Sequence, residues 1–320
     1  MKIKVLDRAA MGYDLSFEKL RNFGEVEIYD STRADELAER VSDADILILN
    51  KIKITKEILL RSEKLKLICV FATGFDNIDV EGAKEMGIAV CNVPAYSTDS
   101  VALFTVANVL SIYTHLPEYS RHVSSGRYTA EGKANSLIPV YHEMRGKVWG
   151  IIGFGNIGRA VAKIAEAMGA RVVVNKRVPV DDYECVDIDT LCEVSDIITI
   201  HCPLNEQTRG LINYEKIEKM KIGVVLVNEA RGAVLDEEAV ANAILLGKIG
   251  AFGSDVYSVE PFDEKHPFAS LLELDNVCLT PHAAWGAYEA RVRCLDIICD
   301  NIDSFLCQKT LNRVDITRQN

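Results

Sequence analysis

Short apolar, β-branched runs alternate with amphipathic segments along nearly the whole chain, and this alternation restricts the fold more than any other feature. Strands joined by helical crossovers lie parallel, and the helices then cover both faces of the sheet. The runs fall into two sets. IKVLD, EVEIYD, ADILILN, LKLICVFA and IAVCN form the first, with ADELAERVSD, TKEILLRSE and VEGAKEMG between them, and predict a small domain. KVWGIIG, RVVVN, DIITIHCP, GVVLVNEA, GAFGSDVY and NVCLTPH predict a second, larger sheet. Residues 99–114 read as one long apolar helix between the sets, and residues 116–145 as a polar, irregular, strand-poor stretch suited to oligomer contacts. The closing AYEARVRCLDIICDNIDSFLC is helical and has no sheet of its own to cover, so it is expected to cross back to the first domain. The expected class is α/β with two doubly wound parallel-sheet domains. Residues 99–286 are inserted into a discontinuous domain made of 1–98 and 287–320.

A chain of 320 residues and 35.5 kDa favours two domains over one core. A formal net charge of -11 argues against nucleic acid or an anionic membrane as partner, so an anionic substrate needs a local positive site. The amino terminus, MKIKVLDRAAMG, opens on a strand-like run without a cleavage signature, and no apolar stretch reaches about 18 residues, so a cytoplasmic location is expected. The nine cysteines contain no CxxC pair, and Cys69, Cys91, Cys202 and Cys278 lie in or beside apolar runs where thiols pack as small hydrophobes. Neither a disulfide framework nor a metal is expected.

The second set opens on a glycine-rich turn, Gly153-Phe154-Gly155-Asn156-Ile157-Gly158, with a strand before it and a helix after it. Ile157, Val161, Ile164 and Met168 mark one face of that helix. Bare backbone lets a pyrophosphate approach closely, and the helix amino terminus offers N–H groups to it. One dinucleotide site is therefore expected, with NAD(H) or NADP(H) as cofactor. An acid normally follows the next strand to bind the ribose 2′-hydroxyl. RVVVNKR offers Asn175, Lys176 and Arg177 there, which leans toward the 2′-phosphate of NADP(H), although Asp181 or Asp182 folding back would favour NAD(H).

Three chemically unlike residues follow strand-like runs in the same set: Arg231 after GVVLVNEA, Glu260 shortly after GAFGSDVY, and His282 after NVCLTP. In an open parallel sheet, ligands bind outside the carboxyl ends of the strands. A cation, an acid and an imidazole meeting there can hold a carboxylate and pass a proton.

The motifs NVPAYSTDSVA, GIIGFGNIG, HCPLNEQTRGLIN, VNEARGAVLDEEAV, SDVYSVEP and TPHAAW resemble those of the D-isomer-specific 2-hydroxyacid dehydrogenases, most of all their glycerate dehydrogenase or hydroxypyruvate reductase branch, over nearly the whole chain. The resemblance implies a Rossmann cofactor domain inserted into a flavodoxin-like substrate domain, and a homodimer. It implies that Arg231 binds the substrate carboxylate, that His282 is the general acid/base, and that Glu260 pairs with it and favours its protonated form. It implies a substrate loop at Thr73 and Gly74, with Trp285 narrowing the pocket toward two- or three-carbon acids. Cofactor contacts are implied at His201, Pro203, Thr208, Ala230 and Asp255, the last toward the nicotinamide carboxamide. His115, His122, His142 and His266 match no catalytic motif and read as helix, loop or surface residues. Glu229 departs from the family pattern, which has a smaller or neutral residue between asparagine and alanine.

The implied reaction is reversible hydride transfer between NAD(P)H and a small 2-oxo acid in a cleft that closes on it, with hydroxypyruvate and glyoxylate leading. Lactate, formate, phosphite and phosphoglycerate dehydrogenases are the enzymatic alternatives. Glu260 argues against a formate enzyme, which replaces it, and a phosphoglycerate enzyme with the added carboxyl-terminal regulatory domain of many of that kind is not expected. A dinucleotide-sensing corepressor built on the same fold is the alternative of a different class.

Overall fold

Every named strand pairs in parallel with its neighbours, as strands separated by helical crossovers must. The computed structural model describes residues 1–316, so the end of the expected segment 287–320 lies outside the described residues. The chain divides into two compact units, Met1–Ser97 with Gly286–Asn320, and Thr98–Trp285.

The first unit carries β1 (Lys2–Val5), β2 (Glu25–Ile28), β3 (Ile46–Leu49), β4 (Leu67–Val70) and β5 (Ala89–Cys91) in the order β2-β1-β3-β4-β5. This is the flavodoxin-like order. β3, β4 and β5 are buried throughout, which is why ILIL, LICV and AVC read as unbroken apolar runs, whereas the edge strand β2 alternates charged and apolar residues. The helix Tyr288–Leu306 packs against β4. It buries Ala290, Cys294, Leu295, Ile298 and Ile302 along one stripe, so the returning helix supplies the cover expected of it.

The second unit carries β6 (Val148–Ile152), β7 (Arg171–Asn175), β8 (Glu184–Cys185), β9 (Ile197–Ile200), β10 (Val224–Asn228), β11 (Ile249–Ser254) and β12 (Val277–Leu279). Their order is β12-β11-β10-β9-β6-β7-β8, the dinucleotide-binding order with one strand added at its far edge. The order in which the chain adds strands reverses between β6 and β9, and it is at such a switch point that an open parallel sheet has its ligand crevice. Six of these strands follow the sequence reading. β8 does not, because two residues are too few to show a period. Helix Thr98–Tyr113 lies over β10, β11 and helix Asn156–Ala167, and buries Val101, Ala102, Val106, Val109 and Ile112.

The stretch 116–145 corrects an expectation, since it contains helices Leu116–Ser124 and Arg127–Glu131. Neither buries a residue, so no apolar stripe toward a core announced them. Among the described residues, no single helix is long and apolar enough to cross a membrane.

Trp149 is the largest fully buried side chain of the second core, and its indole N–H donates to the Thr199 hydroxyl on the neighbouring strand at 3.1 Å. Thr199→Val keeps the volume and strands that donor, so the unfolding free energy in urea is expected to fall by about 1–3 kcal/mol. An unchanged denaturation midpoint would show that the contact carries no weight.

Candidate active site

The three catalytic candidates leave from one edge because β10, β11 and β12 end flush. Asn228 is in register with Ser254, and Ser254 with Leu279. Beyond those positions the backbone turns. Asn228, fully buried, holds the first turn from both sides: its side-chain oxygen accepts from the Ala230 N–H at 3.1 Å and its amide donates to the Arg231 carbonyl at 3.0 Å. Arg231 is thereby fixed at the strand end, with Nη1 donating to the Ala230 carbonyl at 2.8 Å. The next residue must be glycine, since a Cβ on Gly232 would lie 1.9 Å from the Tyr257 carbonyl carbon. The turn bearing Arg231 therefore abuts the loop bearing Glu260.

Glu260 and His282 are in direct contact: His282 Nδ1 lies 2.7 Å from Glu260 Oε2. The other carboxylate oxygen accepts from the Tyr257 N–H at 3.1 Å. With Nδ1 donating to a carboxylate, the neutral ring has Nε2 as its acceptor nitrogen. His282 adopts φ 54°, a left-handed conformation that costs a non-glycine residue of order 1–2 kcal/mol. Asp255 holds the turn that imposes it. Its Oδ1 accepts from the Thr280 hydroxyl at 2.7 Å and the Ala283 N–H at 2.8 Å, and its Oδ2 from the Ala284 N–H at 2.8 Å. Asp255 thus brackets His282 on both sides, a task the sequence did not disclose.

The glycine-rich turn fits a dinucleotide by three separate tests. A Cβ on Gly153 would lie 2.3 Å from the Cys202 nitrogen, and one on Gly158 would lie 2.4 Å from the Gly153 carbonyl oxygen, so both glycines permit close packing. Gly155 has no atom within 4 Å of such a Cβ and precedes helix Asn156–Ala167 without a side-chain cap, which leaves open space before the helix amino terminus. His201, at the end of β9, has both ring nitrogens buried without a partner, and desolvation pushes its pKa down to about 3. Phe154 is buried and packs edge-on against Tyr183, so only its backbone can meet a ligand, while Ile157 packs into the core and Asn156 is exposed.

The family model for "D-isomer specific 2-hydroxyacid dehydrogenase, NAD binding domain" matches residues 106–284. The chain belongs to the D-isomer-specific 2-hydroxyacid dehydrogenase family. It is similar to a hydroxypyruvate reductase of Blautia hydrogenotrophica, 37% identical over 98% of this chain and 100% of that one. Among solved structures it resembles an acyclic imino acid reductase (Bsp5) in complex with NADPH and D-Arg, with TM-score 0.85 and 31% identity over 98% of this chain and 100% of the other. It also resembles a D-lactate dehydrogenase from Aquifex aeolicus complexed with NAD and lactic acid, with TM-score 0.86 and 29% identity over 99% of this chain and 100% of the other. The 2-hydroxyacid dehydrogenases are oxidoreductases of CH–OH groups, and the cofactor of this chain is a nicotinamide dinucleotide.

The remaining candidate residues of this dehydrogenase lie as follows. At the end of β7, Asn175 donates to the Val186 carbonyl, Lys176 is half-buried and Arg177 is exposed. Asp182 pairs with Arg159 at 2.6 Å, and Lys176 is near enough to add to the downward shift of its pKa. Thr208 closes its own loop by donating to the Pro203 carbonyl at 2.7 Å. Ala230 is buried in the turn described above, and Trp285 is half-buried. In the first unit, Thr73 follows β4 and donates its hydroxyl to the Val93 carbonyl at 2.8 Å, with Gly74 next to it. His266 lies in a loop, with its side chain almost wholly covered beside Glu237.

Glu229, the departure from the family pattern, is also buried. Its Oε1 accepts from the Asn108 side-chain amide at 3.2 Å, while its Oε2 and the Asn108 oxygen are buried without partners. Two acceptors left over beside one hydrogen bond are both satisfied when the acid keeps its proton. Desolvation first, and then the charge of Asp255, push the Glu229 pKa up to about 8, against the smaller opposing effect of Asn108. Cys278 and Tyr257 face the same region, and both titrate upward through burial. Between the ordinary glutamate value and about 8 the folded protein holds a proton that the unfolded chain releases. Stability is therefore lost as pH rises through that window and levels off above it. Glu229→Gln imitates the neutral acid and removes this slope. Thermal unfolding from pH 5 to pH 9 is expected to show the variant gaining on the parent as pH rises, by a few kcal/mol at most; parallel curves would show that Glu229 is ionised throughout.

Proposed function

We propose that this chain reduces hydroxypyruvate or glyoxylate to the corresponding D-2-hydroxy acid, as a glycerate dehydrogenase or hydroxypyruvate reductase. The observation that carries the reading is the Glu260–His282 pair at the strand edge that also bears Arg231. Arg231 binds the substrate carboxylate, since a planar fork of N–H donors matches that group and orients the adjacent keto carbon. His282 gives a proton from Nε2 to the ketone oxygen, and Glu260 holds Nδ1 so that the ring faces the substrate and its charge is balanced. Bound nicotinamide supplies the hydride. Thr73 and Gly74 take the substrate-loop role and Trp285 limits pocket size, both on the strength of the family resemblance and of the hydroxypyruvate reductase relative.

The cofactor side of the proposal is NADPH in preference to NADH. Support comes from Lys176 and Arg177 at the end of β7, where Asn175 rather than an acid closes the strand. Pro203, Thr208, Ala230 and Asp255 take the remaining cofactor contacts in this reading. A homodimer is part of it too. Helix Leu116–Ser124 and the chain after it expose Leu116, Val123, Leu137, Ile138, Val140 and Tyr141 in one stretch, an apolar surface that a second copy would cover.

Purified protein is expected to turn over hydroxypyruvate and glyoxylate with a higher kcat/KM for NADPH than for NADH. His282→Ala is expected to cost about 3–5 kcal/mol of barrier with cofactor affinity unchanged. Negligible turnover by the parent, or full turnover by the variant, would overturn the function; a clear NADH preference would overturn the cofactor assignment alone.

A further inference from the structure

The loop that carries Glu260 has no regular structure of its own between β11 and the 3-10 turn Pro267–Leu271. Val259 beside it is exposed. A carboxylate on such a segment holds His282 at 2.7 Å only if something else fixes the loop. That something is one buried carboxylate from another element. Glu237, the first residue of helix Glu237–Leu245, is 8% exposed. Its Oε1 accepts from the Ser258 N–H at 2.8 Å and its Oε2 from the Ser258 hydroxyl. The same Oε2 lies 2.9 Å from His266 Nε2, off the line of an ideal hydrogen bond. His266 Nδ1 accepts from the Phe268 N–H at 3.2 Å, which puts the ring proton on Nε2, facing Glu237.

Glu237 therefore ties the loop on both sides of Glu260, at Ser258 before it and at His266 after it. Aromatic packing fills the space between the ties. Phe262 lies 4.7 Å from Tyr257 and 4.9 Å from His266, and His266 lies 5.1 Å from Phe268, centroid to centroid. Tyr257 extends the brace to the histidine side, because its hydroxyl donates to the Thr280 carbonyl at 2.8 Å, just before His282. Arg231 joins from the other side through the close approach of Gly232 to Tyr257. A buried carboxylate is a costly way to obtain stability alone, since apolar groups of the same volume serve as well.

We propose that Glu237, with Ser258 and His266, is a positioning residue that holds Glu260 against His282. This inference rests on the function proposed above. Its mark is dependence on Glu260, which a merely structural contact would lack. Steady-state reduction of hydroxypyruvate is compared for the parent, Glu237→Ala, Glu237→Gln, Ser258→Ala, Glu260→Gln and the double variant Glu237→Ala with Glu260→Gln. Glu237→Ala is expected to lower kcat about tenfold or more, and to move the alkaline limb of the pH profile toward acid as Glu260→Gln does. In the Glu260→Gln background the same change should cost no more than about twofold, because the residue it positions is gone. Glu237→Gln keeps one acceptor and should fall between, and Ser258→Ala should lose a few-fold. These two also serve if Glu237→Ala does not fold, as judged by thermal unfolding and cofactor titration.

Equal losses in both backgrounds, or an unmoved pH profile in Glu237→Gln and Ser258→Ala, would overturn the brace while leaving the function of Glu260 intact. Full turnover by Glu260→Gln would overturn that function, and the brace with it.

Discussion

The contact on which the proposed chemistry depends is the hydrogen bond between His282 Nδ1 and Glu260 Oε2. Neither residue lies in a strand or a helix; Asp255, directly after β11, holds the one, and Tyr257 with the helical Glu237 holds the other. His282 keeps a left-handed backbone because Asp255 binds the turn before and after it. Glu260 keeps its orientation because Tyr257 donates to it and Glu237 fixes the adjoining backbone. Strain at one residue persists only where its surroundings over-determine it, and here they do.

Parallel register brings these groups together. β10, β11 and β12 are short and end in register at Asn228, Ser254 and Leu279, so three loops begin side by side at about the 4.8 Å strand spacing. Polar residues that would be expensive to bury elsewhere are paired with backbone at this edge: Asn228 in the first turn, Asp255 beside the last. Glu229 is the exception, and its unpartnered oxygen is consistent with an acid that keeps its proton. The core beneath, with Trp149 bound to Thr199 across β6 and β9, gives the edge a rigid base.

Much of this was legible in the chain. Runs such as ILIL and VVLVN announce buried parallel strands, the glycine spacing announces a tight strand-to-helix turn, and the placement of Arg231, Glu260 and His282 after such runs announces a shared strand edge. What escaped has physical reasons. β8 is two residues long, and the helices at 116–131 bury nothing, so neither leaves a period to read. The Asn108–Glu229 bond joins residues 121 apart, and only the departure from family pattern marked Glu229 as unusual. His266 resembles any loop histidine in sequence, because its burial depends on Glu237 and on three aromatic rings that only the fold assembles.

Nitrogen NMR of histidine-labelled protein reads directly which nitrogen of the His282 imidazole carries the proton. The His282 ring is assigned by the signals lost in His282→Ala. It should hold its proton on Nδ1 in the neutral form, and this preference should disappear in Glu260→Gln. A neutral ring protonated on Nε2, or one indifferent to Glu260, would contradict the account.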